Sequence, residues 1–294
     1  PENEILPLIG SKEGIMHISM AFVNPGDEVL VPDPGYPSYT SGTRLVGGVV
    51  RTYDLLAKNN WMPDFDLIER SSLSKVKLMW VNYPHMPTGT KASAILFERL
   101  IKFAAKHGIL ICNDNPYSFI LNSEHISILS VDGAKEYALE LNSLSKSHNM
   151  AGWRVGLVAG DRDYISTVLK VKSNMDSGMF RPLQLAAAEA LKRGDDWFEK
   201  NNEIYRRRRE IANEIMDILG CRYDKEQTGL FLWGQVSENY KNGEELSDMV
   251  LEKAHVFITP GFIFGKNGDG YVRISLCSNE EKLKEARERI KNLA

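Results

Sequence analysis

Three features are scarce in this chain, and each scarcity excludes a class of protein. The 294 residues include three cysteines, Cys112, Cys221 and Cys277, which are far apart and cannot all pair within one chain. This usage favours a reducing compartment over a disulfide-stapled secreted fold. No apolar run approaches the roughly 20 residues of a membrane-spanning helix, and no signal-peptide pattern is recognisable. We therefore expect a cytoplasmic protein that makes no contact with membranes.

The third feature that is scarce is net charge. The chain has 36 lysines and arginines against 39 aspartates and glutamates, which gives a formal net charge of −3. Its basic block YRRRRE, at residues 205–210, lies in a helical pattern and is typical of a solvated helix face. The composition predicts no nucleic-acid partner. No grouping of histidine, cysteine and acidic residues has the spacing of metal ligands, so we also predict no metal.

The chain does contain short apolar runs that alternate with helical patterns. Examples are VLVP at 29–32, KLMWV at 77–81 and ILIC at 109–112. This alternation predicts an α/β fold with a mostly parallel central sheet between layers of helices. Longer helices and shorter strands follow, so we expect a large domain over 1–204 and a smaller α+β domain over 205–294. The opening PENEILPLIG has no initiator methionine and soon becomes apolar, so we expect further N-terminal sequence.

Polar residues follow several predicted strands, at the edge where open parallel sheets collect their chemistry. Ser11 and Lys12 follow the first apolar run and open a helix, whose free N–H groups favour an anion. Capping by Ser11 explains the same residues equally well. Tyr36 follows a second run, and Asp114 and Tyr117 follow a third. Taken singly, simple packing explains a loop tyrosine, and helix capping explains a carboxylate at a strand end.

The stretch SLSKSHNMAGWRVG places Lys146 near Arg154 and between the hydroxyls of Ser143, Ser145 and a third serine. A lysine amine can attack a carbonyl to form a Schiff base, but at its usual pKa of about 10.4 it is protonated and inert. Burial and a neighbouring cation such as Arg154 lower that pKa. If the carbonyl compound carries a phosphate, the hydroxyls and Arg154 form a phosphate site. With Asp114 as partner for a ring nitrogen, the combination describes pyridoxal phosphate.

In order and spacing, seven motifs resemble those of the class I/II aminotransferases of fold type I. Within that family the chain is most similar to the LL-diaminopimelate and aspartate aminotransferase-like groups. The motifs are GSKEG, NPGDEVLVPDPGYPSY, NYPHMPTG, DNPYS, SLSKSHNMAGWRVG, KVKSNMDSG and GYVRISL. The resemblance covers nearly the whole chain. It implies a pyridoxal-phosphate-dependent homodimer, with active sites at the subunit interface, that moves an α-amino group to a 2-oxo acid by a ping-pong Schiff-base mechanism.

The resemblance also implies roles for individual residues. Lys146 would carry the Schiff base and shuttle a proton, and Asp114 would keep the ring nitrogen protonated. Tyr117 would donate a hydrogen bond to the ring oxygen O3′, and Tyr36 would stack on the ring. Arg273 would bind the substrate α-carboxylate as a bidentate fork. The phosphate would be held by hydroxyl groups, backbone N–H groups and a guanidinium, contributed by Ser11, Lys12, Ser143, Ser145 and Arg154.

One position departs from the family pattern. Where the family turn reads Asn-Pro-Thr-Gly, with that asparagine donating to O3′, this chain has Met86. A thioether donates no hydrogen bond, so we predict a raised pKa for the Schiff base. Asn82, earlier in the motif, is given a structural role.

Two alternatives to transamination stay open from the sequence. The first is a pyridoxal-phosphate-dependent β-elimination lyase on the same fold, and the second is a non-catalytic relative that only Met86 suggests. The resemblance favours an acidic or amino-dicarboxylate donor, but the fold does not decide which amino acid is used.

Overall fold

The computed structural model describes residues 3–293 and contains one large and one small sheet. The strands of the large sheet are β1 (Ile5–Leu8), β2 (Glu28–Asp33), β3 (Val49–Asp54), β4 (Val76–Val81), β5 (Leu110–Asp114), β6 (Ala138–Ser143) and β7 (Gly156–Gly160). Their spatial order is β1-β7-β6-β5-β4-β2-β3. Strands β2 to β6 are parallel, and β7 is antiparallel to both its neighbours. The predicted mostly parallel sheet is confirmed.

Helices cover both faces of this sheet. The helices of this part of the chain are α1 (Ser11–Phe22), α2 (Pro37–Leu45), α3 (Phe65–Ile68), α4 (Ala94–His107), α5 (Leu144–Ser147), α6 (Arg162–Met175), α7 (Arg181–Ala190) and α8 (Asp195–Ile218). Of these, α1, α2 and α6 pack on one face of the sheet, and α3 and α4 pack on the other. Successive side chains of β4 alternate between two cores, with Leu78 and Trp80 on one face and Met79 and Val81 on the other. Because both faces are buried, β4 reads as a continuous apolar run in the sequence.

The C-terminal part of the chain forms the smaller α+β region. It contains β8 (Phe231–Gln235), α9 (Gly243–Ala254), β9 (Thr259–Pro260), β10 (Tyr271–Ser275) and α10 (Glu280–Lys291). Its antiparallel sheet has the order β8-β10-β9 and shares a core with α8. The predicted boundary between residues 204 and 205 falls inside α8, so the domain limits stay a prediction. No helix within residues 3–293 is long and apolar enough to cross a membrane.

The strand directions bring five chain segments to one edge of the large sheet. Strands β1 and β6 are both antiparallel to β7, so β1 points in the same direction as the parallel strands. The carboxyl ends of β1, β2, β4, β5 and β6 therefore meet at this edge. The residues that follow these ends in the sequence are those from which we predicted the chemistry.

Candidate active site

A cavity of about 410 Å³ lies at this edge, between the large sheet and the small region. All ten side chains selected from the sequence line it: Ser11, Lys12, Tyr36, Asp114, Tyr117, Ser143, Ser145, Lys146, Arg154 and Arg273. Met86, which the sequence placed at the position that faces the ring oxygen, also lines the cavity, and three side chains that sequence reasoning had not selected complete much of the wall: Tyr39, Phe231 and Phe264. The cavity thus collects two lysines, two arginines and one carboxylate from distant parts of the chain.

Asp114 is the buried carboxylate of this cavity, and it is 4% exposed. Its Oδ2 accepts a hydrogen bond from the Tyr39 hydroxyl at 3.0 Å, whereas its Oδ1 has no partner. Burial raises the pKa of Asp114 to about 6, although the hydrogen bond from Tyr39 opposes this. A buried oxygen without a partner is costly. Asp114 therefore suits a ligand that brings a protonated nitrogen to Oδ1.

Two neighbours fix the position of Asp114. Asn82 Nδ2 donates to the Asp114 backbone carbonyl, and Asn82 Oδ1 accepts from the Met86 N–H at 2.8 Å. These contacts accord with the structural role given to Asn82. Tyr39 is fully buried and stacks on Trp80, with ring centroids 5.1 Å apart. Sequence reasoning missed Tyr39, although its position three residues after Tyr36 is the spacing that places two side chains on one helix face.

The two tyrosines chosen from the sequence stand on the wall of the cavity. Tyr117 is 9% exposed, and its ring meets Phe231 edge-on with centroids 5.9 Å apart. Burial and the charge of Asp114 raise the pKa of Tyr117 above its usual value, so its hydroxyl stays protonated and can donate. Tyr36 is half-buried and meets the Tyr39 ring edge-on at 5.7 Å.

The residues predicted for a phosphate surround the start of α1. Ser143 Oγ caps α5 by accepting from the Ser145 N–H at 3.2 Å. Arg154 Nη1 donates to Ser145 Oγ at 3.4 Å and to the Ala151 carbonyl at 3.0 Å. A Cβ atom at Gly10, where φ is +80°, would collide with the Arg154 guanidinium. A glycine there lets Arg154 lie against the backbone at the N-terminus of α1, where free N–H groups attract an anion.

Arg273 supplies the second cation, on the side of the small region. Its guanidinium carbon lies 4.0 Å from the ring centroid of Phe231 and 4.5 Å from that of Phe264. Its Nη1 is 3.3 Å from Met86 Sδ, and its buried Nε has no hydrogen-bond partner. Burial lowers the pKa of Arg273, but the guanidinium stays charged. Arg273 makes no ion pair within residues 3–293, so its charge is available to a carboxylate ligand.

Lys146 lies in the short helix α5 and faces the same cavity, half-buried. The phosphate residues Ser145 and Arg154, together with Tyr117 and Arg273, line the same cavity. The Lys146 amine makes no hydrogen bond or ion pair with any of the residues described. The cavity therefore places a free amine among two cations and one carboxylate with an unused oxygen.

Comparison with known proteins agrees with this geometry. The family model described as "Aminotransferase class I and II" matches residues 1–290. A protein of Dehalococcoides mccartyi named LL-diaminopimelate aminotransferase is 41% identical, over 99% of this chain and 76% of that protein. One of the same name from Halothermothrix orenii is 44% identical, over 99% and 75%. The substrate-bound structure of BacF from Bacillus subtilis has a TM-score of 0.95 and 36% identity, over 100% of this chain and 75% of the other.

The fold and the cavity define a fold type I enzyme that acts with pyridoxal phosphate. The chain belongs to the class I and II aminotransferases, whose members transfer the amino group of an amino acid. The cofactor fits the residues present. Asp114 Oδ1 is unpaired, Gly10 leaves room for Arg154 at a helix N-terminus, and Lys146 is nearby. These features accommodate a ring nitrogen, a phosphate and a carbonyl carbon respectively.

Proposed function

We propose that this enzyme takes the amino group from LL-diaminopimelate, an amino dicarboxylate, and passes it to a 2-oxo acid such as 2-oxoglutarate. The relatives of that name are 41% and 44% identical to the chain, and this supports the choice of donor. The observation that carries the proposal is the cavity itself. It holds together the free amine of Lys146, the unpaired Oδ1 of Asp114 and the guanidinium of Arg273, whose charge has no ion-pair partner within residues 3–293.

Each cavity residue has a task in this proposal. When bound, pyridoxal phosphate supplies an electron-withdrawing ring that stabilises negative charge at the substrate α-carbon. Lys146 holds the cofactor and, when freed, moves the proton to and from that carbon. Asp114 keeps a proton on the ring nitrogen, and Tyr117 donates to the ring oxygen. Tyr36 packs against the ring.

The two arginines bind the cofactor and the substrate, one arginine each. Arg154 binds the phosphate together with hydroxyl and backbone N–H groups of Ser11, Lys12, Ser143 and Ser145. Arg273 binds the substrate α-carboxylate as a planar fork, and its guanidinium lies over the rings of Phe231 and Phe264, which restrict its movement. A guanidinium that contacts two rings loses little further conformational freedom on binding, so it favours a well-oriented substrate.

We also propose that the enzyme is a homodimer in the cytoplasm. Helix α7 and the residues that flank it expose Phe180, Leu185 and Leu191, which are 68%, 59% and 54% accessible. Apolar side chains grouped in this way are typical of a protein–protein interface. Cys112, Cys221 and Cys277 are free thiols, as expected for a reducing compartment.

The test is a coupled assay of amino transfer on the full chain loaded with pyridoxal phosphate. LL-diaminopimelate, aspartate, glutamate, alanine and phenylalanine are offered singly, each with 2-oxo acid partners. We expect glutamate to form from 2-oxoglutarate fastest with LL-diaminopimelate, and Lys146→Ala to abolish it. A preference for another donor would overturn the proposed substrate. Release of pyruvate and ammonia without any need for a 2-oxo acid would instead identify a lyase.

A further inference from the structure

A largely buried set of charged side chains meets at the first turn of α1, where the phosphate residues Ser11 and Lys12 also lie. Glu13 Oε2 accepts a hydrogen bond from the Ile9 N–H at 2.5 Å, and the Glu13 N–H donates to the Gly10 carbonyl at 3.2 Å. Glu13 therefore holds both ends of the Gly10 turn. The N–H groups of Ser11 and Lys12 follow directly after that turn, so Glu13 determines where they point.

This glutamate has an electrostatic cost for an anion site. A carboxylate in the first turn stabilises a helix because it complements the partial positive charge at the N-terminus. The same partial charge attracts the phosphate, and an unneutralised Glu13 would repel a phosphate bound at Ser11. The turn thus needs Glu13 for its geometry, while the phosphate needs the charge of Glu13 to be cancelled.

Lys172 of α6 is placed to cancel it. Its side chain is 5% exposed, and Nζ donates to Glu13 Oε1 at 3.0 Å and to Asp176 Oδ2 at 2.5 Å. Burial lowers the pKa of Lys172, but the hydrogen bonds to Asp176 and Glu13 outweigh burial and raise the pKa. Lys172 is therefore charged. His17 Nε2 lies 3.1 Å from the same Glu13 oxygen and is buried.

We propose that Lys172 is a positioning residue for the phosphate site of this enzyme. It neutralises Glu13, so that Glu13 can hold the Gly10 turn without repelling the phosphate of the cofactor. The inference rests on the proposed function, because it assumes that the phosphate binds at Ser11 and Arg154. Lys172 does not line the cavity, so it acts on the phosphate site through its charge and its contact with Glu13.

The experiment compares two ligands of the cofactor-free protein. Pyridoxal phosphate and pyridoxal differ by the phosphate alone, so the ratio of their dissociation constants isolates binding at the phosphate site. The variants are Lys172→Met, Glu13→Gln and the double variant. Lys106→Met serves as the matched control because Lys106 makes an exposed ion pair with Glu69, and neither residue lines the cavity. Circular dichroism and thermal melts of each variant report folding separately.

We expect Lys172→Met to weaken pyridoxal phosphate about tenfold, the effect of roughly one uncompensated charge near a helix N-terminus, and to leave pyridoxal nearly unchanged. Glu13→Gln should shift the ratio the opposite way, since it removes one negative charge beside the helix N-terminus while Lys172 keeps its ion pair with Asp176. The double variant should return to the wild-type ratio. If Lys172→Met does not fold, the direction of the shift in Glu13→Gln decides alone. Equal weakening of both ligands, or no return in the double variant, overturns the inference.

A separate variant distinguishes this failure from failure of the proposed function. If the phosphate binds elsewhere, Arg154→Gln does not remove the wild-type preference for pyridoxal phosphate over pyridoxal. If Arg154→Gln removes the preference while Lys172→Met and Glu13→Gln leave it unchanged, the site is right and the role of Lys172 is wrong. Inorganic phosphate, used as a competitor against pyridoxal phosphate, should rank the variants in the same order of affinity.

Discussion

Replacing Met86 with asparagine adds a hydrogen-bond donor to the cavity without moving its wall. The Met86 N–H is held by Asn82 Oδ1 at 2.8 Å, so the backbone stays in place when the side chain changes. Met86 Sδ now lies 3.3 Å from Arg273 Nη1 and donates nothing. An asparagine there can accept from Arg273 through its oxygen and donate to the ring oxygen of the bound cofactor through its nitrogen.

The size of the effect follows from the number of donors. Tyr117 is the donor that we assign to the ring oxygen, and Met86→Asn supplies a second. A hydrogen bond to a charged acceptor contributes about 1.5 kcal/mol or more, which is about one pH unit in a pKa. When the bound cofactor has lost its proton, its ring oxygen is still negatively charged. The added donor stabilises this deprotonated form. The cofactor pKa should therefore be about one pH unit lower in Met86→Asn than in the wild type.

The assay is a pH titration of the visible absorbance of the cofactor-loaded protein. Met86→Leu is the matched control, because it removes the sulfur and adds no donor, and it should titrate with the wild type. Identical pKa values for the wild type and Met86→Asn would refute the reasoning. Such a result would mean that residue 86 does not reach the ring oxygen.

Three further predictions concern single contacts of the site. The pKa of Asp114 is about 6 in the folded protein and about 3.9 when unfolded, so the cofactor-free protein loses stability as the pH rises between these values. Asp114→Asn should stabilise the cofactor-free protein more at pH 7 than at pH 4, by at most about 3 kcal/mol in unfolding free energy, which thermal melts at the two pH values detect, and it should weaken cofactor binding. An equal change in stability at both pH values would argue against a raised pKa of Asp114. Tyr39→Phe should raise the pKa of Asp114 further and weaken the cofactor several-fold, detected by fluorescence titration; wild-type affinity would contradict this. Arg273→Lys should lower kcat/KM for an amino acid about 10- to 100-fold but spare the matching amine without a carboxylate, and an equal loss for both would contradict carboxylate binding.

The sequence predicted the strand-end residues well because the fold places them by a general rule. Asp114 ends β5 and Ser143 ends β6, and both strands read as apolar runs whose carboxyl ends must meet. Lys146 and Arg154 were found from their spacing within one motif. The phosphate residues that follow β1 lie at the same edge, because β1 and β6 are both antiparallel to β7 and therefore point in the same direction.

The contacts that the sequence could not predict join residues far apart in the chain. Met86 and Arg273 are 187 residues apart, and only the family resemblance, not any local pattern, relates residue 86 to that guanidinium. The hydrogen bond from Tyr39 to Asp114 likewise depends on how α2 packs on the sheet, which spacing alone does not decide. The ion pair of Lys172 with Glu13 was hidden because both residues look like ordinary surface charges in amphipathic helices.

The central claim is that Lys146 anchors the cofactor in a cavity that also contains Lys12. It is tested by reducing the cofactor-loaded full chain with borohydride, which fixes the cofactor to its lysine, and by mapping the modified peptide with mass spectrometry. We predict that the pyridoxyl phosphate group is found on Lys146 and that adding an amino acid donor before reduction prevents the labelling. Label on Lys12 or on another lysine, or label that no amino acid prevents, would contradict this account of the site.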